Sequence, residues 1–400
     1  MARGRRLAAL VAVGGLALAA CGGTNDAPAG RTVSVAVQGG AAAPSPAATP
    51  TGSPGPTIGA GEGRLSVLAY RGYAEYGGSD PRLNWVGPFE KETGCRVVVL
   101  DQVRTPGELA ELWPTKPYDV VSASPELAGQ LISEKKVVPI DTSLVPGYDE
   151  IPKWLRTLPA YDRDGKVYGV PFLWRVNELL YDSSKAGSAS WADFYRSGQA
   201  AIEDDPLSIA DAALALKKSD PGLDIEDPFQ LTHRQLDAAV ALIAGQKGNG
   251  REYWKDPLDV IEGFAAGALR MALASPYDQD LLRRAGRPVK AVESDPGTGR
   301  ADAWMVSAGA ASPNCARLWL RWMSTPEVQQ QAVGWTGMAP ANPGACVGRA
   351  RRVCDTYPMT DDAWLDKVSF AERPTGDCGG DNGECTEYTE WAARWQELVK

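Results

Sequence analysis

The sequence predicts an α/β protein of two lobes. From Arg64 onward, short apolar runs typical of strands alternate with segments typical of helices, as in "RLSVLAY", a helix around 83–93, "CRVVVLD" and the helix "TPGELAELW". This alternation implies mostly parallel sheets flanked by helices, and the continuous apolar runs suit strands buried on both faces. Residues 64–400 exceed what one hydrophobic core usually serves, so two lobes with a cleft between them are expected.

The alternation continues along the rest of the chain. The strand "YDVVSA" precedes the helix "SPELAGQLISEKK", which has Ser124 at its N-cap position and Pro125 in its first turn. The stretch "YDRDGKVYGVPFLW" predicts a hairpin that turns at Asp164 and Gly165. Further strands are predicted at "ELLYD", "GQAAIEDD", "LRMALAS", "PVKAVES" and "DAWMVSA", and terminal helices at "PNCARLWLRWMS", "TPEVQQQAVGWTG" and "EYTEWAARWQELVK".

The first twenty residues predict export. Three arginines precede an apolar stretch that is too short to span a bilayer, which is the pattern of a signal peptide. Its ending, "LAAC", resembles the lipobox of bacterial lipoproteins, which implies that Cys21 is lipidated and becomes the new N-terminus. An ordinary signal peptide that is cleaved elsewhere is the alternative.

The predicted domain organisation follows from these segments. The stretch after Cys21 is rich in Gly, Ala, Pro, Ser and Thr and has few large apolar side chains, so it is expected to be a disordered tether. The predicted boundaries are 1–20 for the signal peptide, 21–63 for the tether, 64–145 for the first part of lobe 1, 146–300 for mainly lobe 2, and 301–400 for the crossover back and the C-terminal helices.

The charge excludes some partners. The chain carries a net charge of −9, and loss of the first twenty residues, with three arginines and no acid, lowers it to −12. An acidic surface argues against nucleic acid and against anionic lipid as partners. Contact with the membrane is therefore expected through the lipid anchor alone.

The cysteines after Cys21 favour disulfides, because an even number of them occurs in an exported chain. They are Cys95, Cys315, Cys346, Cys354, Cys378 and Cys385. The spacing suggests two local pairs, Cys346–Cys354 and Cys378–Cys385, which would leave Cys95 and Cys315 as a long-range pair. Metal binding is the weaker alternative, because the spacings are not C-x₂-C and the single histidine lies in a helix-like segment. No metal site and no cofactor is predicted.

Motifs of known catalytic sites are absent from the sequence. There is no G-x-S-x-G, Walker or G-x-G-x-x-G motif, and no histidine beside a nucleophile. The carboxylates of "IEDD" at 202–205 could support glycoside hydrolysis, but Asp204 or Asp205 precedes a proline and is a candidate helix cap. An exported two-lobed protein of this kind is expected to bind a ligand beyond the carboxyl ends of its strands, after Tyr70, at 122–126 and at 203–205.

Several motifs in order resemble the polyamine-type solute-binding proteins of ABC importers. They are "FEKETGCRV" at 89–97, "YDVVSASPELAGQLISEKKVVPID" at 118–141, "DGKVYGVPFLW" at 164–174, "SWADF" at 190–194 and "PNCARLWLRWMSTPEVQQQAVGWTGMAPAN" at 313–342. The resemblance runs from about residue 64 to the last residue. It implies the two-lobed periplasmic-binding-protein fold of type II, hinge closure on a small solute, and delivery to a permease driven by a separate ATPase.

The resemblance also implies site residues. Family members have aromatic residues on the first loop that flank the polyamine chain, and Tyr70 and Tyr73 correspond to them. Ser124 corresponds to a family serine at the start of the helix after the third strand. Asp205 matches a carboxylate that receives an ammonium group, but its companion three residues later is Ser208 here.

A second part of the implied site departs further from the family pattern. Trp304 matches a family tryptophan, whereas the acid expected two residues later is Val306. Asp302, two residues before Trp304, would share its face of the strand. Trp174, at the end of the hairpin motif, is a further candidate for the wall of the cleft.

Arginines bear on the charge of the ligand. Arg71 lies on the first loop and Arg175 follows Trp174. An arginine in the cleft would repel an ammonium group and would favour a carboxylate, sulfonate or phosphate. The alternative is that these arginines face solvent or pair with acids, such as Glu75 for Arg71. Whether Arg71, Arg175 and Arg300 face the cleft is left open by the sequence.

The sequence therefore predicts a lipid-anchored, extracytoplasmic solute-binding receptor of an ABC importer that captures a polyamine or a related small organic ion and has no enzymatic activity. One alternative is a receptor for an anionic or zwitterionic solute. Another is a surface lipoprotein that keeps the receptor fold and acts as a sensor or adhesin. An exported hydrolase that uses "IEDD" is the weakest alternative.

Overall fold

The computed structural model describes residues 57–78, 80–245, 252–292, 296–377 and 384–400. The strands are β1 Arg64–Tyr70, β2 Arg96–Val103, β3 Val120–Ala123, β4 Asp162–Arg163, β5 Lys166–Val167, β6 Val170–Val176, β7 Glu178–Asp182, β8 Ala200–Glu203, β9 Glu252–Trp254, β10 Met271–Ala274, β11 Val289–Ala291, β12 Thr298–Val306, β13 Ala339–Pro340 and β14 Ser369–Phe370. The helices are α1 Val86–Thr93, α2 Pro106–Leu112, α3 Pro125–Ser133, α4 Lys153–Arg156, α5 Trp191–Arg196, α6 Ile209–Ser219, α7 His233–Ala244, α8 Pro257–Ala266, α9 Pro276–Arg284, α10 Pro313–Met323, α11 Pro326–Thr336, α12 Arg351–Cys354, α13 Asp362–Leu365 and α14 Tyr388–Val399.

Lobe 1 is built on a seven-stranded sheet with the order β13-β6-β12-β3-β1-β2, and β14 pairs with β12. β1 runs parallel to β2 and β3, because helices join these strands in succession. β12 runs antiparallel to both β3 and β6. The sheet is therefore mixed, with its antiparallel pairs at the strands through which the chain leaves for the second sheet and returns from it.

Lobe 2 is built on a five-stranded sheet with the order β11-β7-β10-β8-β9. The chain enters it directly from β6 into β7 and leaves it between β11 and β12. A third connection follows β14, since α14 packs on lobe 2 with Trp391 and Trp395 in its core. The predicted two-lobed α/β architecture is confirmed, and β6 belongs to lobe 1 although its residues fall in the range predicted mainly for lobe 2.

The predicted hairpin at "DRDGK" is present between β4 and β5. Asp162 pairs with Val167 in the antiparallel ladder. Asp164 and Gly165 adopt φ values of 53° and 69°. Two consecutive residues with positive φ are what a two-residue turn of this hairpin type requires, and Asp-Gly is among the sequences that accept it.

Two of the three predicted disulfides are present. Cys95 is bonded to Cys315 across 220 residues, and Cys346 to Cys354 across 8 residues. Cys95 directly precedes β2 and Cys315 lies in the first turn of α10, so this bond joins a loop and a helix within lobe 1. The third predicted pair includes Cys378, which lies outside the described residues.

The first described residues are held against lobe 1. The carboxylate of Glu62 accepts the backbone N–H groups of Asn314 at 3.0 Å and Cys315 at 2.9 Å, at the N-terminus of α10. Residues 1–56, with the predicted signal peptide, Cys21 and most of the tether, lie outside the described residues. In the described part of the chain, no helix is both long and apolar enough to cross a bilayer.

Candidate functional site

The candidate site lies where the lobes meet, at the carboxyl ends of β1, β3 and β8. β1 ends at Tyr70, Ser124 directly follows β3, and Asp205 lies just beyond β8. β12, which returns the chain from lobe 2, brings Arg300 and Asp302 between them. Ligands of open α/β sheets collect at such strand ends.

Arg300 is the central side chain of this cluster. Its Nη1 donates to Asp205 Oδ2 at 3.2 Å, its Nε to Asp302 Oδ1 at 3.0 Å, and its Nη2 to Tyr70 Oη at 2.9 Å. The guanidinium carbon lies 5.4 Å from the centroid of the Tyr70 ring, which is within cation–π range. Because Asp205 belongs to lobe 2 while Tyr70 and Asp302 belong to lobe 1, Arg300 links the lobes.

A second tyrosine extends the cluster within lobe 1. Tyr73 Oη donates to Asp302 Oδ2 at 2.7 Å, so each oxygen of Asp302 has a donor. The rings of Tyr70 and Tyr73 pack edge to face with centroids 5.5 Å apart. Burial raises the pKa of both hydroxyls well above the usual range, so both stay protonated; Tyr73 donates to Asp302, and Tyr70 accepts from Arg300.

Glu126, in the first turn of α3, is almost fully buried beside the cluster, with 3% of its surface exposed. Ser124 Oγ donates to Glu126 Oε1, whereas Oε2 has no hydrogen-bond partner among the described residues. Arg373 Nη1 lies nearby but donates to the main-chain oxygen of Glu126, at 3.0 Å. A buried acceptor without a partner costs about 1–3 kcal/mol, so the Oε2 atom is suited to receive an incoming donor.

A second ion pair connects the lobes at the other end of the cluster. Arg175 Nη2, on β6, donates to both carboxylate oxygens of Glu203 at the end of β8. Its Nη1 donates to Asn177 Oδ1 at 3.2 Å, and the guanidinium carbon lies 5.8 Å from the ring centroid of Trp254. One guanidinium meets one carboxylate in this pair, and Asn177 Nδ2 also donates to the buried carboxylate of Asp211 at 3.0 Å.

The charges around Arg300 do not balance. Burial raises the pKa of Asp205 to about 7; the charge of Glu126 adds to this shift and the charge of Arg300 opposes it. Burial also raises the pKa of Glu126, again against Arg300. For Arg300 itself, the neighbouring acids, Asp302 foremost, outweigh burial and hold its pKa well above the ordinary value. Three buried carboxylates thus lie around Arg300, and the second cation nearby, Arg373, contacts the main chain of Glu126 and not its carboxylate.

The cleft is closed by its own side chains. Between the two ion pairs lies a cavity of about 30 Å³, lined by Arg175, Asn177, Glu203, Asp205, Leu207, Ser208, Phe229, Thr298, Gly299, Arg300 and Ala371. Such a volume holds a water molecule or two, whereas sites for small organic ligands usually measure about 300–1,000 Å³.

The structure brings together five of the eight residues predicted for the site. They are Tyr70, Tyr73, Ser124, Asp205 and Asp302, and they surround Arg300 and Glu126. Asp205 is also the N-cap of a short 3₁₀ helix, since its Oδ1 accepts the backbone N–H of Leu207 at 2.8 Å. Asp204 faces elsewhere, where it accepts the indole N–H of Trp395 at 2.8 Å and pairs with Lys255.

The other three predicted site residues lie apart from the cluster. Arg71 is exposed and has no ion-pair partner among the described residues. Glu75, the predicted partner, accepts the backbone N–H of Gly72 at 3.1 Å instead. Trp174 is in the core of lobe 1, where its indole N–H donates to Pro340 O at 2.9 Å and its ring packs on Trp154.

Trp304 is likewise a core residue of lobe 1, with 1% of its surface exposed. Its ring packs edge to face on Phe172 and on Trp319, with centroids 5.9 Å and 5.4 Å away. Asp302 and Trp304 are two residues apart on β12, but Trp304 lies further from the cleft, opposite Ser122 of β3, and its ring is buried in the core. The predicted tryptophan walls are therefore packing residues.

Three residues of the cluster were not among the residues predicted for the site. Glu126 lies in a loop expected at the cleft, and the signal for it was an acid directly after the "SP" of a helix start. Glu203 had a similar signal in "IEDD". Arg300 was named as an arginine whose orientation the sequence leaves open, because a lone arginine at the start of a strand is usually a surface residue. No group of His, Cys, Asp and Glu suited to a metal ion occurs in the described part of the chain.

Two α/β lobes, joined by crossing strands and closed over a buried polar cluster, define a cleft-type ligand-binding protein with the type II periplasmic-binding-protein fold. The chain matches the family model of bacterial extracellular solute-binding proteins over residues 84–346. It belongs to this family, whose members are the extracytoplasmic solute receptors of ABC transporters and work with a membrane permease and an ATPase.

Solved structures of three proteins share the fold. A protein of Listeria monocytogenes described as a spermidine/putrescine ABC transporter is 16% identical, with a TM-score of 0.66, and the match covers 84% of this chain and 99% of that one. The TpPotD lipoprotein of Treponema pallidum is 16% identical, with a TM-score of 0.63, and the match covers 84% of this chain and 99% of that one. The binding protein MotA of Agrobacterium tumefaciens B6, solved in complex with glucopine, is 15% identical, with a TM-score of 0.59, and the match covers 84% of this chain and 100% of that one.

Proposed function

We propose that this protein captures a small organic solute carrying ammonium groups, a polyamine or a related amine, between its lobes and presents it to its permease. The observation that carries the proposal is the surplus of buried carboxylate around Arg300, including the unpartnered Oε2 of Glu126. An ammonium group would supply both a positive charge and hydrogen-bond donors to this site. The rings of Tyr70 and Tyr73 would pack against the methylene chain.

Binding requires the lobes to separate, because the closed cleft has a cavity of only about 30 Å³. The crossings from β6 to β7 and from β11 to β12 are the segments where a hinge would act. Separation would break the links from Arg300 to Asp205 and from Arg175 to Glu203. An ammonium solute then offers the carboxylates of lobe 2 a new partner, which favours closure around it.

A thermal-shift titration of the purified protein tests the proposal. Butylamine, putrescine and spermidine are compared with glucose and with succinate. A solute at a hundred times its Kd is expected to stabilise the protein by about 2.7 kcal/mol. Glu126→Gln is expected to weaken amine binding at least tenfold, whereas Glu92→Gln, an exposed acid-to-amide change on α1, leaves it unchanged. Equal affinity of wild type and Glu126→Gln for amines would contradict the proposed site.

A zwitterionic solute is the second candidate, favoured by the two arginines in the cleft. A carboxylate of the solute would replace Glu203 on Arg175 when the lobes separate, and its ammonium group would approach Glu126. The titration separates the two candidates with γ-aminobutyrate, which carries both charges, against butylamine, which lacks the carboxylate. Stabilisation by γ-aminobutyrate alone would favour the zwitterion. No response to any of these compounds would favour a sensor or adhesin that keeps the receptor fold.

We further propose that the protein is anchored to the membrane surface through lipid on Cys21. The support is the "LAAC" ending of the apolar N-terminal stretch and the low-complexity sequence that follows it. The Cys21→Ser variant is expected to appear in the soluble extracytoplasmic fraction, while the wild type stays with the membrane and incorporates labelled palmitate. Membrane retention of Cys21→Ser would show that another segment anchors the chain.

A further inference from the structure

Arg300 occupies a position built for a cation. Its guanidinium is surrounded by two carboxylates, a phenol hydroxyl and the face of an aromatic ring, contributed by Asp205, Asp302 and Tyr70. Each of its three nitrogens donates to one of these groups. An alkylammonium ion is recognised by the same combination of carboxylates and an aromatic face.

The arginine is held mainly by the lobe to which it belongs. Asp302 and Tyr70, like Arg300, are part of lobe 1, and Tyr73 fixes the second oxygen of Asp302 at 2.7 Å. Of its three partners, Asp205 alone belongs to lobe 2. Separation of the lobes therefore removes one hydrogen bond from the guanidinium and leaves two, so the cation stays in the wall of the open cleft.

We infer that Arg300 is a built-in cation that fills one ammonium position of the cleft, so that the site accepts a solute with one positive charge fewer than its carboxylates could hold. The inference rests on the proposed function, because it concerns the charge of the amine solute. Glu126, whose Oε2 has no partner, is not neutralised by a direct contact with Arg300 and remains for the solute. Arg300 is thus a specificity-determining residue that favours shorter amines with fewer charges.

Charge counting by calorimetry tests this role. Affinities for butylamine, putrescine and spermidine, which carry one, two and three ammonium groups, are measured for the wild type and for Arg300→Gln. Removing the guanidinium frees Asp205 and Asp302 for an ammonium group and removes a repelling charge. The ratio of spermidine affinity to putrescine affinity is therefore expected to rise at least about tenfold in Arg300→Gln.

Two further variants separate this role from a structural one. Arg300→Lys keeps the charge and is expected to keep the wild-type ratio, although it loses the fork geometry. Arg71→Gln removes one positive charge from an exposed position and is expected to change nothing. If Arg300→Gln does not fold, as judged by circular dichroism, Asp302→Asn provides the test, because one carboxylate fewer is expected to lower the ratio at least about threefold.

The outcomes are distinguishable. If the wild type binds amines but neither Arg300→Gln nor Asp302→Asn changes the ratio, the built-in cation is rejected and the proposed function stands. An equal change in Arg71→Gln would also reject it, since the effect would then be one of net charge. If neither the wild type nor any variant binds an amine, both the proposed function and the inference fail.

Discussion

The two ends of the interlobe cluster contain the same types of side chain in different proportions. At one end, Arg175 and Glu203 form a one-to-one pair, with Asn177 taking a further donor of the guanidinium. At the other end, Arg300 contacts two acids, Asp205 and Asp302. Glu126 adds a third buried acid at this second end, with one oxygen unpartnered.

The two ends are expected to respond differently to a solute. A buried pair that balances its charge resists change, because removal of either partner leaves an uncompensated charge. A buried cluster with surplus carboxylate is stabilised by any cation that enters it. The Arg175 end is therefore expected to stabilise the folded protein, and the Arg300 end is expected to recognise the solute.

The largest change in stability is expected when the ion pair between Arg175 and Glu203 is broken. Arg175→Met leaves Glu203 without its partner in a mostly buried position and is expected to lower the free energy of unfolding by about 3–5 kcal/mol. Urea denaturation monitored by circular dichroism measures the change. The double variant Arg175→Met/Glu203→Leu is the matched control and is expected to recover much of the loss. A loss below about 1 kcal/mol in the single variant would remove the distinction between the two ends.

A change of opposite sign is expected at the surplus end. Glu126→Gln replaces a buried charge by a neutral amide. The amide also lacks a partner, but the larger desolvation penalty of the charge is removed, so the solute-free protein is expected to gain about 1 kcal/mol of stability. The same denaturation experiment measures this gain, with Glu92→Gln as the exposed control. A residue that weakens stability while supporting binding marks a functional site. Destabilisation by Glu126→Gln would place Glu126 among the structural residues instead.

The surplus end is also expected to make stability depend on pH. Burial raises the pKa of Asp205 to about 7, from 3.8 in the unfolded chain. Between these two pKa values the folded state binds a proton that the unfolded state has lost. The contribution of Asp205 to stability is therefore fully present below about pH 4 and is lost as the pH rises through 7, by at most about 1.4 kcal/mol per pH unit.

Melting curves without solute at pH 5, 6, 7 and 8 check this dependence. The Tm of the wild type is expected to decrease over the series. Asp205→Asn is expected to make the decrease smaller, because it has no proton to lose, while Asp211 and Glu178, whose pKa values burial raises to about 6 and about 7, keep their share of it. A wild-type Tm that rises from pH 5 to pH 8 would contradict the assigned direction.

The smallest expected effect concerns the exposed first loop. Arg71→Gln changes a side chain that lies outside the cluster and has no ion-pair partner among the described residues, so stability is expected to change by less than about 0.5 kcal/mol. Amine affinity is expected to stay the same in the calorimetric titration. A clear loss of affinity would show that Arg71 takes part in solute recognition, which is the alternative in which Arg71 faces the cleft.

The architecture could be predicted from the sequence because it depends on local patterns. Apolar runs and helix caps identify strands and helices one at a time, and Asp164-Gly165 identifies a turn by its backbone requirement. Chain length then implies two lobes. Strand direction was harder, since it depends on how the chain crosses between lobes, and this crossing makes β12 antiparallel to its neighbours.

The site was predictable only where residues directly follow strands. Tyr70, Ser124 and Asp205 lie at such positions. Arg300 and Glu126 owe their importance to burial against distant residues, which no local pattern encodes. Trp174 and Trp304 were predicted for the cleft and lie in the core. Aromatic side chains suit a cleft wall and a core equally well, and the local sequence does not show how far from the cleft a strand residue lies.

The attachment of Glu62 beside the Cys95–Cys315 disulfide has a mechanical meaning. Tension applied to the chain before residue 57 reaches the fold at α10, where Glu62 accepts two backbone N–H groups and the disulfide fastens the helix to the loop before β2. The load then passes into the sheet of lobe 1. None of these attachments lies in lobe 2, so a pull on the chain before residue 57 would act first on lobe 1.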